Sequence, residues 1–373
     1  MSIESRLATE LLQTLAAATD LQLLDQRERV AFRDEGNHAG EIDLAAHVRM
    51  PDGQELVLAI EFKRSAYPRD VRLAVERLRA YQQSLAADSP LLPVLPLVAA
   101  EHLSDGSRGR LRQAGVNYFD STGTLFFKHS TWVVDIERAS KSAPARRIGS
   151  IFAGAREQVV HAMLHHWSRT RGDAYVSGAE LAQLAATSAY TVSKTMQEME
   201  RHDWVQTQGS GPTQRRRLRE PAALLDAWAE AWSRRSEARS RWYGYAPEGV
   251  VRPIADALVD HAGWALTGAA AANILVPHLS RVDRATFIVP PHCSEDWADE
   301  LKLKRADQGA NVVFIEREGA ALLFVDEPRD RPGLYLASPF VQYLDLLDGV
   351  GRNKELALEL RHRTLRIDNR HDD

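Results

Sequence analysis

Asp43, Glu61 and Lys63 are the residues in this chain whose types and spacing best suit phosphate chemistry. Two carboxylates brought together repel unless something positive lies between them, and a divalent cation held by oxygen ligands, Mg2+ or Mn2+, is the usual solution. A lysine two residues beyond the second carboxylate shares its face of a strand. There it can steady a metal-bound hydroxide or the phosphate that it attacks. A second set of side chains lies in the middle of the chain: Tyr190, Thr191, Ser193, Lys194, Gln197 and Arg201, followed by Arg215, Arg216 and Arg217. These are donors of the kind that hold DNA phosphates and read base edges.

The first set depends on a hairpin. Ile42 to Met50 and Gln54 to Lys63 flank Pro51-Asp-Gly53, a turn triplet with a residue tolerant of positive φ. If Met50 pairs with Gln54, the register sets Asp43 opposite Glu61. Alternation then gives one apolar face, Ile42, Leu44, Ala46, Val48 and Met50 against Leu56, Leu58, Ile60 and Phe62. The other face presents Asp43, Glu61 and Lys63. A helix from Ile3 to about Leu24 precedes the hairpin. A helix from Asp70 to Gln83 and a buried strand from Leu92 to Ala99 follow it. Two further short strands end at Val134, and Asp120 reads as a turn residue.

The pattern Asp43, then Glu61-Phe-Lys63, on a hairpin after a helix, resembles the PD-(D/E)XK nuclease superfamily. The resemblance implies a restriction-endonuclease-like fold over residues 1–146. Asp43 and Glu61 would be metal ligands, Lys63 the catalytic lysine, and Glu4 or Glu10 an accessory carboxylate. One position departs from the pattern. Where these nucleases frequently carry a glutamine just before a leucine on the next helix, this chain has Arg77, in Arg77-Leu-Arg-Ala-Tyr81.

The second set needs a helix to display it, and the stretch from Arg147 to Arg219 reads as a winged helix-turn-helix. Ile151, Val159, Val160, Met163, Leu164 and Trp167 gather on one helical face. Ser177-Gly-Ala-Glu180 spells a capping box that opens a second helix. Thr187-Ser188 can cap a third, with Val192, Met196 and Met199 turned inward and the donor side chains turned outward. Trp204 to Gln208 and Arg215 to Arg219 then form a two-stranded wing around Gly209-Ser-Gly-Pro212. Charge agrees with this reading. From Ser140 to Tyr245 there are 16 Lys+Arg against 10 Asp+Glu, a balance of +6 inside a chain of net charge -4.

Residues 222–373 read as a second α/β domain. A helix from Ala222 to about Arg239 carries Leu224, Leu225, Trp228 and Trp232 on one side, and Ser233 to Trp242 continues the basic patch as a linker helix or solvated connector. Helix Val251 to Ala262, strands at Trp264 to Leu266, Ala285 to Val289, Val312 to Ile315 and Leu334 to Ala337, and helices Pro339 to Leu347 and Asn353 to Leu365 follow. Thr267-Gly268 before a helix resembles the opening of a nucleotidyltransferase-like domain. An active transferase would need a Gly-Ser pair and two carboxylates at alternate positions of one strand. Here Ala269 follows the glycine and Asp283-Arg-Ala285 supplies one carboxylate, so the domain reads as degenerate, with packing, oligomerisation or ligand binding as its role.

Taken in order, Glu61-Phe-Lys63, Pro68-Arg-Asp-Val71, Gly115 to Asp120, the central module at 147–221, Leu266 to Ala271, Gly309 to Val312 and Val341 to Asp345 resemble the AbiEi-type antitoxin and transcriptional-regulator family of type IV toxin-antitoxin systems. The resemblance implies a regulator that binds double-stranded DNA. A cognate toxin or other protein partner and a homodimer are compatible with it. A metal-dependent DNA endonuclease using Asp43, Glu61 and Lys63 is the alternative. The expected whole is an α/β multidomain chain, cytoplasmic, without membrane segment or signal peptide. With Cys293 as the sole cysteine, no intramolecular disulfide or Cys-rich zinc cluster can form. His161 and His165, one helical turn apart, read as solvent-side residues rather than metal ligands.

Overall fold

The computed structural model describes residues 2–34, 36–88, 92–138 and 151–367. The chain separates into two compact units, Met1–Ile148 with Arg201–Asp203, and Gly149–Glu200 with Trp204–Asp373. The expected start of the central module at Arg147, and the boundary between residues 146 and 147, lie outside the described residues.

In the first unit, helix α1 (Ile3–Thr19) opens where the Ser2 hydroxyl accepts the Ser5 amide at 3.1 Å. Leu7, Leu11 and Leu15 are fully buried along one side. Burying each contributes about 1.5–3 kcal/mol, and Leu11→Ala would cost roughly 2–5 kcal/mol. The leucine pattern suggests a helix as far as Leu24, but the helix ends at Thr19 because Asp20 turns left-handed, φ 56°, and donates its amide to Ala16. The chain then enters strand β1 (Gln22–Arg33), paired antiparallel with β2 (Ala39–Arg49).

Strand β3 (Glu55–Ala66) follows the Pro51-Asp-Gly53 turn, in which Gly53 takes φ 85° and the Met50 amide donates to the Gln54 carbonyl at 2.8 Å. The ladder runs from Arg49↔Glu55 to Leu44↔Ile60, the register that the three-residue loop implies. Helix α2 (Pro68–Asp88), strand β4 (Val94–Leu103), helix α3 (Asp105–Gln113) and strands β5 (Asn117–Asp120), β6 (Leu125–His129) and β7 (Trp132–Ile136) complete the unit. The seven strands lie in chain order in one sheet, with β3, β4 and β5 parallel and the outer pairs antiparallel. One face packs Leu44, Leu58, Ile60, Leu97 and Phe127 against the leucines of α1. The opposite face packs Ala59, Val98, Ala100 and Tyr118 against Val71, Val75 and Leu78 of α2 and Leu111 of α3. Ile42 differs from expectation, joining this second cluster rather than that of Leu44. The β2–β3 ladder ends at Leu44, and the chain before it pairs with β1 through Val30↔Ile42.

The second unit starts with helix α4 (Gly154–Thr170), strand β8 (Val176–Ser177), helices α5 (Gly178–Leu184) and α6 (Ala189–Arg201), and strands β9 (Val205–Gln208) and β10 (Arg215–Leu218). The three strands form a small sheet in the order β8-β10-β9. Helix α7 (Pro221–Ser233) then places Leu224, Leu225, Trp228 and Trp232 in the core. Next come strand β11 (Arg239–Tyr243), helix α8 (Val251–Ala257), strand β12 (Ala265–Thr267), helix α9 (Gly268–Leu275), strand β13 (Ala285–Val289), helix α10 (Ser294–Glu300), and strands β14 (Lys304–Arg305) and β15 (Val312–Glu316). Helices α11 (Pro339–Leu346) and α12 (Asn353–Leu360) close the unit, the latter passing into a π-helical turn at Arg361–Leu365.

Its five-stranded sheet has the order β12-β13-β15-β11-β14, with β13 and β15 parallel. Two expectations change here. The segment read as a continuing helix or connector is β11, the strand between β15 and β14, because Ser240 and Trp242 alternate inward while Arg239 and Arg241 alternate outward. Residues Leu334 to Ala337 do not form an extended ladder; Leu336 makes isolated bridges to Leu266 and Asp326. One apolar cluster runs continuously from α4, α5 and α6 through α7 into α9, α11 and α12.

Candidate functional site

Helix α6 is cut into two faces by its sequence. Val192, Thr195, Met196 and Met199 are buried against α4 and α5, while Tyr190, Ser193, Lys194, Gln197 and Arg201 are exposed. Tyr190 is 71% exposed, and the Lys194 ammonium lies 5.7 Å from its ring centre. Ser188 caps the helix by accepting the Thr191 amide at 3.2 Å, and the two hydroxyls lie 3.0 Å apart. Thr191 is therefore engaged at the cap and half-buried, with less freedom than its neighbours on the face. Ahead of α5, the expected capping box is present in both directions: the Glu180 amide donates to Ser177 Oγ, and the Ser177 amide to Glu180 Oε2 at 2.8 Å. The Ser177 backbone donor holds the Glu180 carboxyl below its usual range.

Strand alternation divides the arginines of β10. Arg215, opposite Gln208, is exposed. Arg217 donates to Gln206 Oε1 at 2.8 Å and lies over the Tyr175 ring at 5.1 Å. Arg216 points the other way, donating to Glu200 Oε1 at 3.0 Å, with its side chain only 12% exposed. Thr207 donates to the same carboxylate oxygen at 2.8 Å. Arg215 and Arg217 thus lie on one side of β10, and Arg216 on the other ties β10 to α6. The sequence does not distinguish the three, because which arginine of β10 turns outward depends on strand phase relative to Glu200.

In the first unit, Asp43 lies one residue beyond the end of the β2–β3 ladder, so the expected pairing with Glu61 is not part of it, and its Oδ2 accepts the Phe62 amide at 2.7 Å. Asp43 also lines a cavity of about 350 Å3 together with Glu4, Glu28 and Glu41. Of the two accessory carboxylates implied by resemblance, Glu4 shares that cavity and Glu10 does not.

Glu61 has other partners. Its side chain is fully buried, and its Oε2 accepts from Lys63 Nζ at 2.6 Å and from the Arg77 guanidinium at 3.0 Å, with Oε1 3.3 Å from the same Arg77 nitrogen. Arg77 reaches Glu61 from α2, occupying the place in the sequence pattern where a glutamine is frequent. Its role as a partner of Glu61 is not evident from sequence, although its charge is. A carboxylate already neutralised by two cations is a poor ligand for a third, and its remaining lone pairs are mostly committed. Among the described residues, no three His, Cys, Asp or Glu side chains converge in a metal-binding group. The donor set around Glu61 as folded does not fit a Mg2+ or Mn2+ centre.

Asp120 is buried and accepts from Arg108 at 2.8 Å, and its Oδ1 receives the Thr122 amide at 2.9 Å, which agrees with a turn role. His161 was expected at the solvent side and is instead fully buried. Its Nδ1 donates to the Ala320 carbonyl at 2.8 Å, so its Nε2 accepts from Ser338 Oγ at 2.6 Å. Helix α4 has partners on both sides, and a pattern read for one apolar face cannot reveal the second. His165 stacks on Phe324 with ring centres 3.7 Å apart.

Residues 217–366 match a family model described as a transcriptional regulator, AbiEi antitoxin, type IV TA system. The match runs from the end of β10 through the π-helical turn. No curated protein matches the chain. Two solved structures are similar to it. A repair endonuclease from Pyrococcus abyssi has 15% identity over 30% of this chain and 46% of its own, with TM-score 0.21. The apo form of EndoMS has 19% identity over 32% of this chain and 46% of its own, with TM-score 0.22. The chain therefore spans about half the length of either. Among the described residues, no helix is long and apolar enough to cross a membrane.

Proposed function

We propose that this chain is a cytoplasmic, antitoxin-type transcriptional regulator that binds double-stranded DNA sequence-specifically, with 151–219 acting as a winged helix-turn-helix. The observation that carries the reading is the exposed face of α6, where Tyr190, Ser193, Lys194, Gln197 and Arg201 stand out from a helix whose other face is fully packed. Such a helix fits the major groove. Ser193 and Gln197 would read base edges, Lys194 would meet phosphate, and Arg215 and Arg217 would hold the backbone beside the groove. The family match over 217–366 supports the regulatory role.

The endonuclease alternative would use Asp43, Glu61 and Lys63. The pairing of Glu61 with Lys63 and Arg77 favours a non-cleaving role for that face. A pull-down of genomic fragments with purified full-length protein, with and without magnesium, tests both readings. Enrichment of a small set of intact fragments, lost with Lys194→Ala, is the expected result. Recovery of no preferred sequence would overturn the proposal, and recovery of fragments cut only with magnesium would replace it with the alternative. A nucleotidyltransferase-like ancestry for 222–373 belongs to the same proposal, its opening at Thr267-Gly268 leading into α9.

A further inference from the structure

Residues 259–264 lead from α8 into β12, at the end of that strand away from α9, and they wall a cavity of about 460 Å3. Trp264 and Tyr335, both of the apolar cluster on the five-stranded sheet, line it with their rings edge to face, centres 5.2 Å apart and planes at 79°. Leu322 and Val325 line it too, and they belong to the other cluster, the one that runs from α4 to α12. The cavity therefore lies where two cores meet. Val259, 47% exposed, adds apolar surface at its rim. Such a volume and such a lining suit a small organic molecule.

The polar groups select its charge. No lysine or arginine lines the cavity. Asp260 does, and it is exposed and forms no ion pair among the described residues. His261 donates from Nε2 to Glu300 Oε2 at 3.1 Å, so any charge on its imidazole is met by a carboxylate outside the lining. An uncompensated carboxylate beside aromatic rings, whose faces are negative, attracts a cation and repels an anion.

The same wall reaches the central module. Between Leu322 and Val325 stands Phe324, held at φ 58°, a strained conformation for a bulky residue. Its ring stacks on His165 of α4, with centres 3.7 Å apart and planes within 3°. Just ahead, the Ala320 carbonyl accepts from His161 of the same helix at 2.8 Å. A molecule packed against Leu322 and Val325 thus bears on the residue that touches α4. Strained backbone held between a cavity and a helix is an element that a ligand can re-set.

We propose that this cavity is an effector site for a small organic cation with an aromatic body, and that its occupancy is transmitted to α4 through residues 322–325. On the DNA-binding reading above, on which this consequence rests, the chain is a ligand-responsive regulator. Ligand-observed NMR titration of the full-length chain with tryptamine tests the site, with tryptophol as the neutral counterpart and indole-3-acetate as the anionic one. Saturable one-to-one binding of tryptamine is expected, about fivefold weaker for tryptophol and absent for indole-3-acetate. Asp260→Asn should bring tryptamine to the tryptophol level, and Val259→Lys, which sets a like charge at the rim, should abolish binding. Both positions are exposed, so both variants should melt as wild type does. The imidazole resonance of His165, identified with His165→Gln, should shift in step with tryptamine occupancy and stay in place in Val259→Lys. Neither measurement involves DNA, so a failure to enrich genomic fragments leaves this test intact. The proposal is overturned if tryptamine does not saturate, if tryptophol or indole-3-acetate binds as tightly, if Asp260→Asn binds tryptamine as wild type does, or if saturation leaves the His165 resonance where it was.

Discussion

Strand alternation in β10 makes the three consecutive arginines unequal, and salt dependence can measure the difference. Each cation that neutralises a DNA phosphate adds about 0.9 to the slope of log affinity against log salt. Replacing Arg215 and Arg217 together with alanine should therefore flatten the slope by about 1.8, and Lys194→Ala by about 0.9. Between 50 and 200 mM salt, each such contact accounts for roughly a threefold loss of affinity, so the double variant should lose roughly tenfold less than wild type over that range. Arg216 is the control, since its guanidinium sits 3.0 Å from Glu200 Oε1 and is largely withdrawn from solvent. Arg216→Ala should leave the slope unchanged while costing about 1 kcal/mol of stability, as Glu200 keeps only its Thr207 donor. Fluorescence anisotropy on the enriched fragment at four or more salt concentrations gives the slopes. Equal flattening by Arg216→Ala and by the Arg215/Arg217 pair, or none from either, would refute this assignment.

Further expectations concern the interior and the nuclease-like face. Supercoiled and linear DNA incubated with wild type and Lys63→Ala, in magnesium and then manganese, should show no rapid cutting; cutting by wild type that Lys63→Ala abolishes would make the chain an enzyme first. Burial holds His161 down to about 3 from its ordinary 6.5. Because the unfolded chain takes up that proton first, the stability contributed by neutral His161 is present above about pH 6.5 and is lost as pH falls towards 3. Urea midpoints measured from pH 7 to 4 should fall more steeply for wild type than for His161→Gln, and parallel curves would count against this. Arg317→Met would remove the counter-charge shared by Asp345 and Glu237, whose side chains are 5% and 11% exposed, leaving Asp345 only its neutral donors Thr267 and Trp232 and Glu237 only Arg239. That should cost about 3–5 kcal/mol, and a melting temperature within about a degree of wild type would contradict it.

The hairpin was legible because two local signals agreed: a turn triplet containing Gly53, and apolar alternation in both strands. Capping was legible at Ser177-Glu180 for the same reason, since its geometry involves four consecutive residues. Strand β1 was not, because it is exposed along most of its length and carries no inward alternation to mark it. Leu21, Leu23 and Leu24 continued the helical spacing of α1, and nothing local announced the left-handed turn at Asp20. Strand β11 was obscured by composition: Arg239, Ser240 and Arg241 resemble a solvated segment, and only pairing with β15 shows that Ser240 faces inward. At the candidate site, the contact between Glu61 and Lys63 follows from their alternation on one strand. The guanidinium from α2 that engages Glu61 was not legible, since it depends on how a helix lies across a sheet.

The continuous apolar cluster from α4 to α12 bears on how this chain can be dissected. A fragment ending at Arg219 would retain every side chain proposed to touch DNA, yet would leave α4 without Trp228, Ala320 and Ser338, the neighbours of His161. The newly bared surface would include the His161 ring, stripped of both its hydrogen-bond partners. Such a fragment would be prone to self-association, and its weak DNA binding would reflect a damaged scaffold rather than a missing contact. Domain-swap and deletion studies on this protein should therefore not cut it after residue 219.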